Sequence, residues 1–199
     1  MLFAIHGVHG SGKTFVSQPI AEDSGIKYVK SDAIELFPQI TKIPSFNRQL
    51  GFAHAALAGY AYAAGIAREE HVIIDFGPRQ IIPYARWWLD EPAAKEIEQL
   101  VTDAAERLER DADMVHIFFL VRRDPKRLIP RILKRQRDEN VKAEETNPNY
   151  IEFVNLQFRE MAQELADRGE RVEIIPADAP AAEKFQKMWQ ILQKYGVVQ

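Results

Sequence analysis

The stretch Gly7–Thr14, GVHGSGKT, follows directly on Leu2-Phe3-Ala4-Ile5, a short apolar run that reads as a buried strand. Gly7, Gly10 and Gly12 permit a tight loop whose backbone N–H groups converge. A helical pattern begins at Lys13. Strand, Gly-x-x-x-x-Gly-Lys-Thr and helix, in that order, form the full phosphate-loop pattern in its required context. Loop amides and the positive end of the helix dipole cradle phosphate oxygens there, so Gly7, His9, Gly10, Ser11, Gly12, Lys13 and Thr14 are the candidate nucleotide-binding residues. In this pattern the lysine reaches the β- and γ-phosphates and the Thr14 hydroxyl holds Mg²⁺. The plain alternative, a glycine-rich turn that binds nothing, fits less well with the motif, its context and the pattern downstream.

Working outward, apolar runs recur at Ile26–Val29, Val72–Ile74, Val115–Val121 and Val172–Ile175, with helical stretches between them. That alternation predicts an α/β chain, a parallel sheet covered by helices. The first helix is expected over Lys13–Asp23, ending at Gly25, with a kink or early end at Pro19. Ser45–Glu70 is dense in alanine and carries Gly51, Gly59 and Gly65, which suits a long, closely packed helix, within the chain or across a dimer. Further helices are expected over Arg79–Leu89, Pro92–Arg110, part of Pro125–Arg137, Tyr150–Arg168 and Pro180–Tyr195. Arg137–Pro148 is the most polar stretch and reads as a mobile loop.

The 199 residues, 46% of them hydrophobic, fit one domain with one core. No run approaches the ~18 apolar residues of a membrane span, and no basic leader precedes Leu2, so a cytoplasmic location is the expectation. Without cysteine, disulfides, thiolate metal sites and a cysteine nucleophile are excluded. A net charge of −3 gives no global pull toward nucleic acid.

Many chemistries share a phosphate loop, so the rest of the chain must choose among them. No Asn-Lys-x-Asp guanine signature is present. Asp75-Phe76-Gly77 spells a protein-kinase tripeptide without the His-Arg-Asp loop that belongs with it. Asp75 ends a strand, where a carboxylate holds Mg²⁺ through water or caps the next helix. Asp32 follows the second strand; it reads equally as the start of a capping box with Glu35 and as a group that accepts a proton from, or orients, an acceptor. Arg123, Arg127, Arg131 and Arg135 recur at spacings of four, with Arg137 close by. If helical they form one basic stripe, either a solvated face or the guanidinium groups that phosphoryl transfer needs, with Arg131, Arg135 and Arg137 the best candidates and Pro130 a start or bend. The five histidines form no metal-ligand pattern, and His6 reads as structural. Trp87 and Trp88 read as core and rim, or as a stacking wall.

On these residues the chain resembles the P-loop nucleotide and nucleoside kinases, especially the thymidylate-kinase and deoxynucleoside-kinase group, nearly end to end. "FFLVRRDPKRLIPRILKRQRDE" is similar to the segment leading into that group's arginine-bearing lid, and "NYIEFVNLQFREMAQEL" to the tyrosine-led helix after it. "VEIIPADAP" is similar to its last strand and adenine-contacting loop. The resemblance implies a three-layer α/β/α sandwich with a five-stranded parallel sheet of order 2-3-1-4-5 and a short lid at about residues 123–148. It implies ATP and Mg²⁺ as cofactors, with Ala177 and Asp178 beside the adenine and Thr14 and Asp75 positioning the metal. It also implies an acceptor site between the alanine-rich helix and the third strand's loop, lined by Arg48, Gln49, Phe52 and Arg79 together with Asp32. The catalytic set is then Lys13, Asp32, Arg131, Arg135 and Arg137. Where the group carries an arginine directly after its strand-end acid, this chain has Phe76, and the nearest arginine is Arg79. "SDAIE" resembles shikimate-kinase-type enzymes and "IIDFGPR" is compatible with archaeal-type adenylate kinases.

The function expected is transfer of the γ-phosphoryl group of ATP to a nucleoside monophosphate or deoxynucleoside. Three other readings stay open: a nucleotide-dependent switch acting on a protein partner, a kinase for a non-nucleotide hydroxyl substrate, and a binding module that has lost catalysis.

Overall fold

Five apolar segments pair into one parallel sheet in the computed structural model of the chain, which describes residues 1–31, 38–110, 112–134 and 145–198. The strands are β1 (Leu2–Gly7), β2 (Lys27–Lys30), β3 (Val72–Asp75), β4 (Met114–Leu120) and β5 (Val172–Pro176), ordered β2-β3-β1-β4-β5 as the resemblance implies. Among the described residues the helices are α1 (Lys13–Ser24), α2 (Ser45–Ile66), α3 (Ile81–Trp88), α4 (Glu91–Glu109), α5 (Ile129–Leu133), α6 (Pro148–Asp167) and α7 (Ala181–Lys194). Helices cover both faces of the sheet, so β1 and β4 are apolar along their length apart from one histidine each, and every residue of both is buried.

Strand periodicity sorts the core into two layers. Phe3, Ile5, Ile73, Val115 and Ile117 pack with Val16 and Ile20 of α1 and with Met188, Ile191 and Leu192 of α7. Leu2, Ala4, Val72 and Ile74 pack against Tyr60, Ala63 and Ala64 of α2 and Ala105 of α4. Each large side chain so enclosed contributes roughly 1.5–3 kcal/mol. The small residues of α2 let it approach the strand ends: a Cβ at position 59 would stand 2.6 Å from that of Ser31, so only glycine fits.

One expectation is corrected. Helix α1 runs unbroken through Pro19 to Ser24; the proline removes one intrahelical bond, and Val16, Ile20 and Ala21 hold the helix on the sheet across it. Among the described residues Arg123, Arg127 and Arg131 do not share one helix, so the stripe expected if the segment were helical does not form there, while Pro130 marks a helix start, one of the two outcomes expected of it. Pro125 opens a 3₁₀ turn over Pro125–Leu128, and Pro130, in the first turn of α5, restarts the chain as a helix of only five residues.

A polar cluster is buried under α2 and α4. Nε2 of His6 lies 3.2 Å from Nδ1 of His116, each ring on a central strand. Burial, with the charges of His116, Arg79 and Lys13 adding to it, holds His6 well below the ordinary histidine value. Burial lowers His116 to about 4, with Glu109 opposing and Arg79 assisting. Beside them Arg79 Nη2 donates to Glu109 Oε2 at 2.6 Å and Tyr60 donates to Glu109 Oε1 at 2.7 Å. Burial alone would raise the Glu109 carboxyl, but the Arg79 charge and hydrogen bond outweigh it and lower it.

Two predictions follow from this interior. Glu109→Ala leaves a buried guanidinium unpaired and costs about 3 kcal/mol of stability in urea denaturation; a cost below about 1 kcal/mol would show the pair to be dispensable. Both histidines are neutral when folded and protonate when unfolded below about pH 6.5, so each removes up to about 1.4 kcal/mol per pH unit as the pH falls below that value. The urea midpoint therefore drops between pH 7 and pH 5, and an unchanged midpoint would contradict the neutral pair.

Candidate active site

The chain leaves β1 at Gly7 with φ 140 and coils through Gly10 (φ 73) and Gly12 (φ 93) into α1. Among the described residues no side chain caps α1, and no acidic residue occupies its first turn, an arrangement that suits an anion at its positive end. Lys13 is buried and donates from Nζ to the carbonyls of Gly7 at 2.6 Å and Val8 at 3.1 Å. Ser11 is fully buried, and its hydroxyl has no hydrogen-bond partner among the described residues. An uncapped helix start, an ammonium laid along the loop and an orphaned hydroxyl form a donor set suited to phosphate oxygens.

Strand β3 delivers Asp75 to the same place. The Thr14 hydroxyl donates to Asp75 Oδ2, and Tyr28 of β2 donates to that oxygen at 2.8 Å. Burial and the neighbouring Asp75 charge push the Tyr28 phenol well above its ordinary value, so it stays a neutral donor. Ser31 donates from Oγ to the Asp75 carbonyl at 3.2 Å and to the Phe76 carbonyl at 2.7 Å, fixing the exit of β3. There Phe76 has φ 83, a left-handed conformation that costs a bulky residue on the order of 1–2 kcal/mol. Tyr28 and Ser31 are contributors that sequence reasoning missed; their signal is their place on and just past β2, the strand beside β3.

The far side of the loop is aromatic. The His9 ring stacks on Tyr84 with centroids 4.8 Å apart, and its Nδ1 lies 3.4 Å from Glu145 Oε1. Tyr150 lies 6.2 Å from His9 and 5.6 Å from Trp87, and the Arg48 guanidinium sits 5.8 Å from the Trp88 ring. The tryptophans meet Tyr150 edge-on or tilted and pack partly buried against the core, so they form the rim of an aromatic cluster that reaches the phosphate loop. Gln49 of α2 is 2% exposed, and its Oε1 has no hydrogen-bond partner among the described residues. Phe52 packs from the same helix against Ile40.

After β5, the Ala177 carbonyl accepts from Arg131 Nη1 at 2.9 Å, and Asp178 Oδ1 accepts from the Arg122 amide at 3.2 Å. Arg131 thus adjoins the adenine loop expected from the sequence and is anchored to its backbone. Lys184 of α7, which the sequence did not flag, reaches the Ser11 carbonyl from the same side.

Arg79 is a correction. It is 5% exposed and committed to Glu109, because the 3₁₀ turn Pro78–Gln80 directs it beneath α2 and α4 instead of joining Arg48 and Gln49. Asp32, Arg135 and Arg137 lie outside the described residues, as does the segment 135–144 of the expected lid. Among the described residues no group of three or more His, Asp or Glu side chains is placed to hold a metal ion. No described helix is long and apolar enough to cross a membrane.

No family model and no curated protein matches this sequence. Solved structures do match its fold. A deoxyadenosine kinase from M. mycoides with bound dATP aligns at TM-score 0.72 and 19% identity, covering 97% of this chain and 100% of that one. The structure of that kinase with dCTP gives 0.70 and 19%, over 98% and 100%. A shikimate kinase from Bacteroides thetaiotaomicron gives 0.56 and 16%, over 98% of each chain. At these identities the shared property is the fold.

Tyr28→Phe removes a hydrogen bond to a buried carboxylate and lowers stability by about 1.5 kcal/mol in urea denaturation. A change within 0.5 kcal/mol would show, on the ordinary scale of surface substitutions, that Tyr28 does not restrain Asp75.

Proposed function

We propose that this protein is a cytoplasmic phosphotransferase that moves the γ-phosphoryl group of ATP to a nucleoside monophosphate or deoxynucleoside. The observation that carries the reading is the meeting of Thr14 and Asp75 at the carboxyl ends of β1 and β3, beside the uncapped start of α1. The fold shared with a deoxyadenosine kinase that binds dATP and dCTP supports it.

In this reading the triphosphate enters the loop from Gly7 to Thr14, with His9 on its aromatic side. Lys13 exchanges the Gly7 and Val8 carbonyls for the β- and γ-phosphates. Thr14 and Asp75 would hold the Mg²⁺ that accompanies ATP, which would supply charge neutralisation at the phosphates. The base lies by Ala177 and Asp178 with Arg131 against that strap. Arg48, Gln49 and Phe52 line the acceptor side, where the orphaned Gln49 Oε1 offers an acceptor to an N–H or O–H group. The acceptor oxygen forms a bond to the γ-phosphorus as the bond to ADP breaks. If the acceptor is a hydroxyl, its proton passes to Asp32, while Arg135 and Arg137 neutralise the transferring group.

ADP release from Mg²⁺-ATP, measured against a panel of nucleosides, nucleoside monophosphates and hydroxy acids, tests this. One acceptor is expected to stimulate turnover, and Lys13→Ala to reduce that turnover by on the order of 10²–10³-fold or more while the protein stays folded. A flat panel with intact ATP binding would replace the kinase with a nucleotide-binding switch. Full turnover by the variant would remove Lys13 from the chemistry.

A further inference from the structure

Helix α7 meets the phosphate loop from behind. Lys184 lies in its first turn, where its amide donates to the Pro180 carbonyl at 3.2 Å, and the residue is 4% exposed. Its Nζ stands 3.3 Å from the carbonyl oxygen of Ser11 and 3.5 Å from that of Ala177. A Cβ at position 12 would come within 2.9 Å of the same nitrogen, so the lysine occupies the space that glycine leaves. Burial, then the charge of Arg131, with Asp178 opposing, lowers this ammonium to about 8, which leaves it charged at neutral pH and able to donate.

The geometry bears on the direction of one amide. In a planar trans peptide the C=O and the following N–H point in opposite directions. An ammonium that holds the Ser11 carbonyl on the outer side of the loop therefore keeps the Gly12 N–H turned inward, where an incoming phosphate needs it. The Ala177 carbonyl, held by the same ammonium, belongs to the strap after β5, so one side chain joins the two backbone segments that a nucleotide must span.

We propose that Lys184 is a positioning residue for the donor nucleotide: it clamps the Ser11 and Ala177 carbonyls together, aims the Gly12 amide at the phosphate chain and fixes the spacing between phosphate loop and base strap. This rests on the nucleotide reading above. Lys184 differs in role from Lys13, whose ammonium lies along the Gly7 and Val8 carbonyls. It acts on the loop and not on the ligand.

The test is calorimetric titration of the full chain with Mg²⁺-ATP, wild type against Lys184→Met, together with the Gly12 amide resonance and its hydrogen exchange in the nucleotide-free proteins. The proposal expects about tenfold weaker ATP binding, on the scale of one lost hydrogen bond to a charged group, with a displaced and faster-exchanging Gly12 amide in a variant that is otherwise folded. Should Lys184→Met not fold, Lys184→Gln, one bond shorter and uncharged, takes its place with the same expectation. Equal affinity and an unmoved Gly12 amide would overturn the clamp while leaving the proposed kinase standing. Wild-type protein that fails to bind Mg²⁺-ATP would overturn the kinase reading, and the clamp with it.

Discussion

Chain exit from β1 is set by a collision that no side-chain movement relieves: a Cβ on residue 7 would stand 2.5 Å from the Phe119 carbonyl oxygen, a backbone atom of the adjoining strand. Only glycine passes, and at φ 140 it turns the chain sharply off the sheet. Everything at the candidate site depends on that turn. It places Lys13 where the ammonium lies along the loop carbonyls, starts α1 without a cap, and brings Thr14 against the acid that ends β3. The parallel pairing of β1 with β3, Ile5 opposite Asp75, brings the carboxylate to the right height.

Around this point the groups that fix β3 are held by pairing, while the Ser11 hydroxyl of the loop has no partner among the described residues. Asp75 receives two hydroxyls on one oxygen, and its carbonyl receives a third from Ser31. Phe76, kept in a costly backbone conformation, lies just past that carboxylate, in the way strain gathers where the surroundings over-determine geometry. Deeper in, Arg79, Glu109 and Tyr60 tie the loop after β3 to α4 and α2. The helix carrying Arg48, Gln49 and Phe52 is thereby referenced to the strand carrying Asp75 by one internal brace.

Much of this was legible in the residues, because the dominant signals are local. The strand–loop–helix sense of GVHGSGKT needs only a few consecutive residues, and the apolar runs mark all five strands to within about two residues of where they form. The sheet order came from resemblance and agrees with the structure. One failure depends on a partner distant in sequence. Arg79 looked like an acceptor ligand because nothing near it in the chain announces Glu109, thirty positions away. The four-residue spacing of the arginines gives a stripe only on a continuous helix, and Pro125, opening a 3₁₀ turn, and Pro130, starting a short helix, break that continuity locally. Tyr28, Ser31 and Lys184 carry no motif; they matter only through the oxygen atoms that the fold brings to them.

The aromatic cluster beside the phosphate loop has a practical consequence. His9 of the loop lies on Tyr84, Tyr84 and Tyr150 adjoin it, and Tyr150 faces both Trp87 and Trp88, two of the three indoles in the chain. A ligand that settled in the loop and shifted His9 would alter the surroundings of those indoles through ring-to-ring contact. Tryptophan emission is therefore the label-free signal in which occupancy of that loop would register.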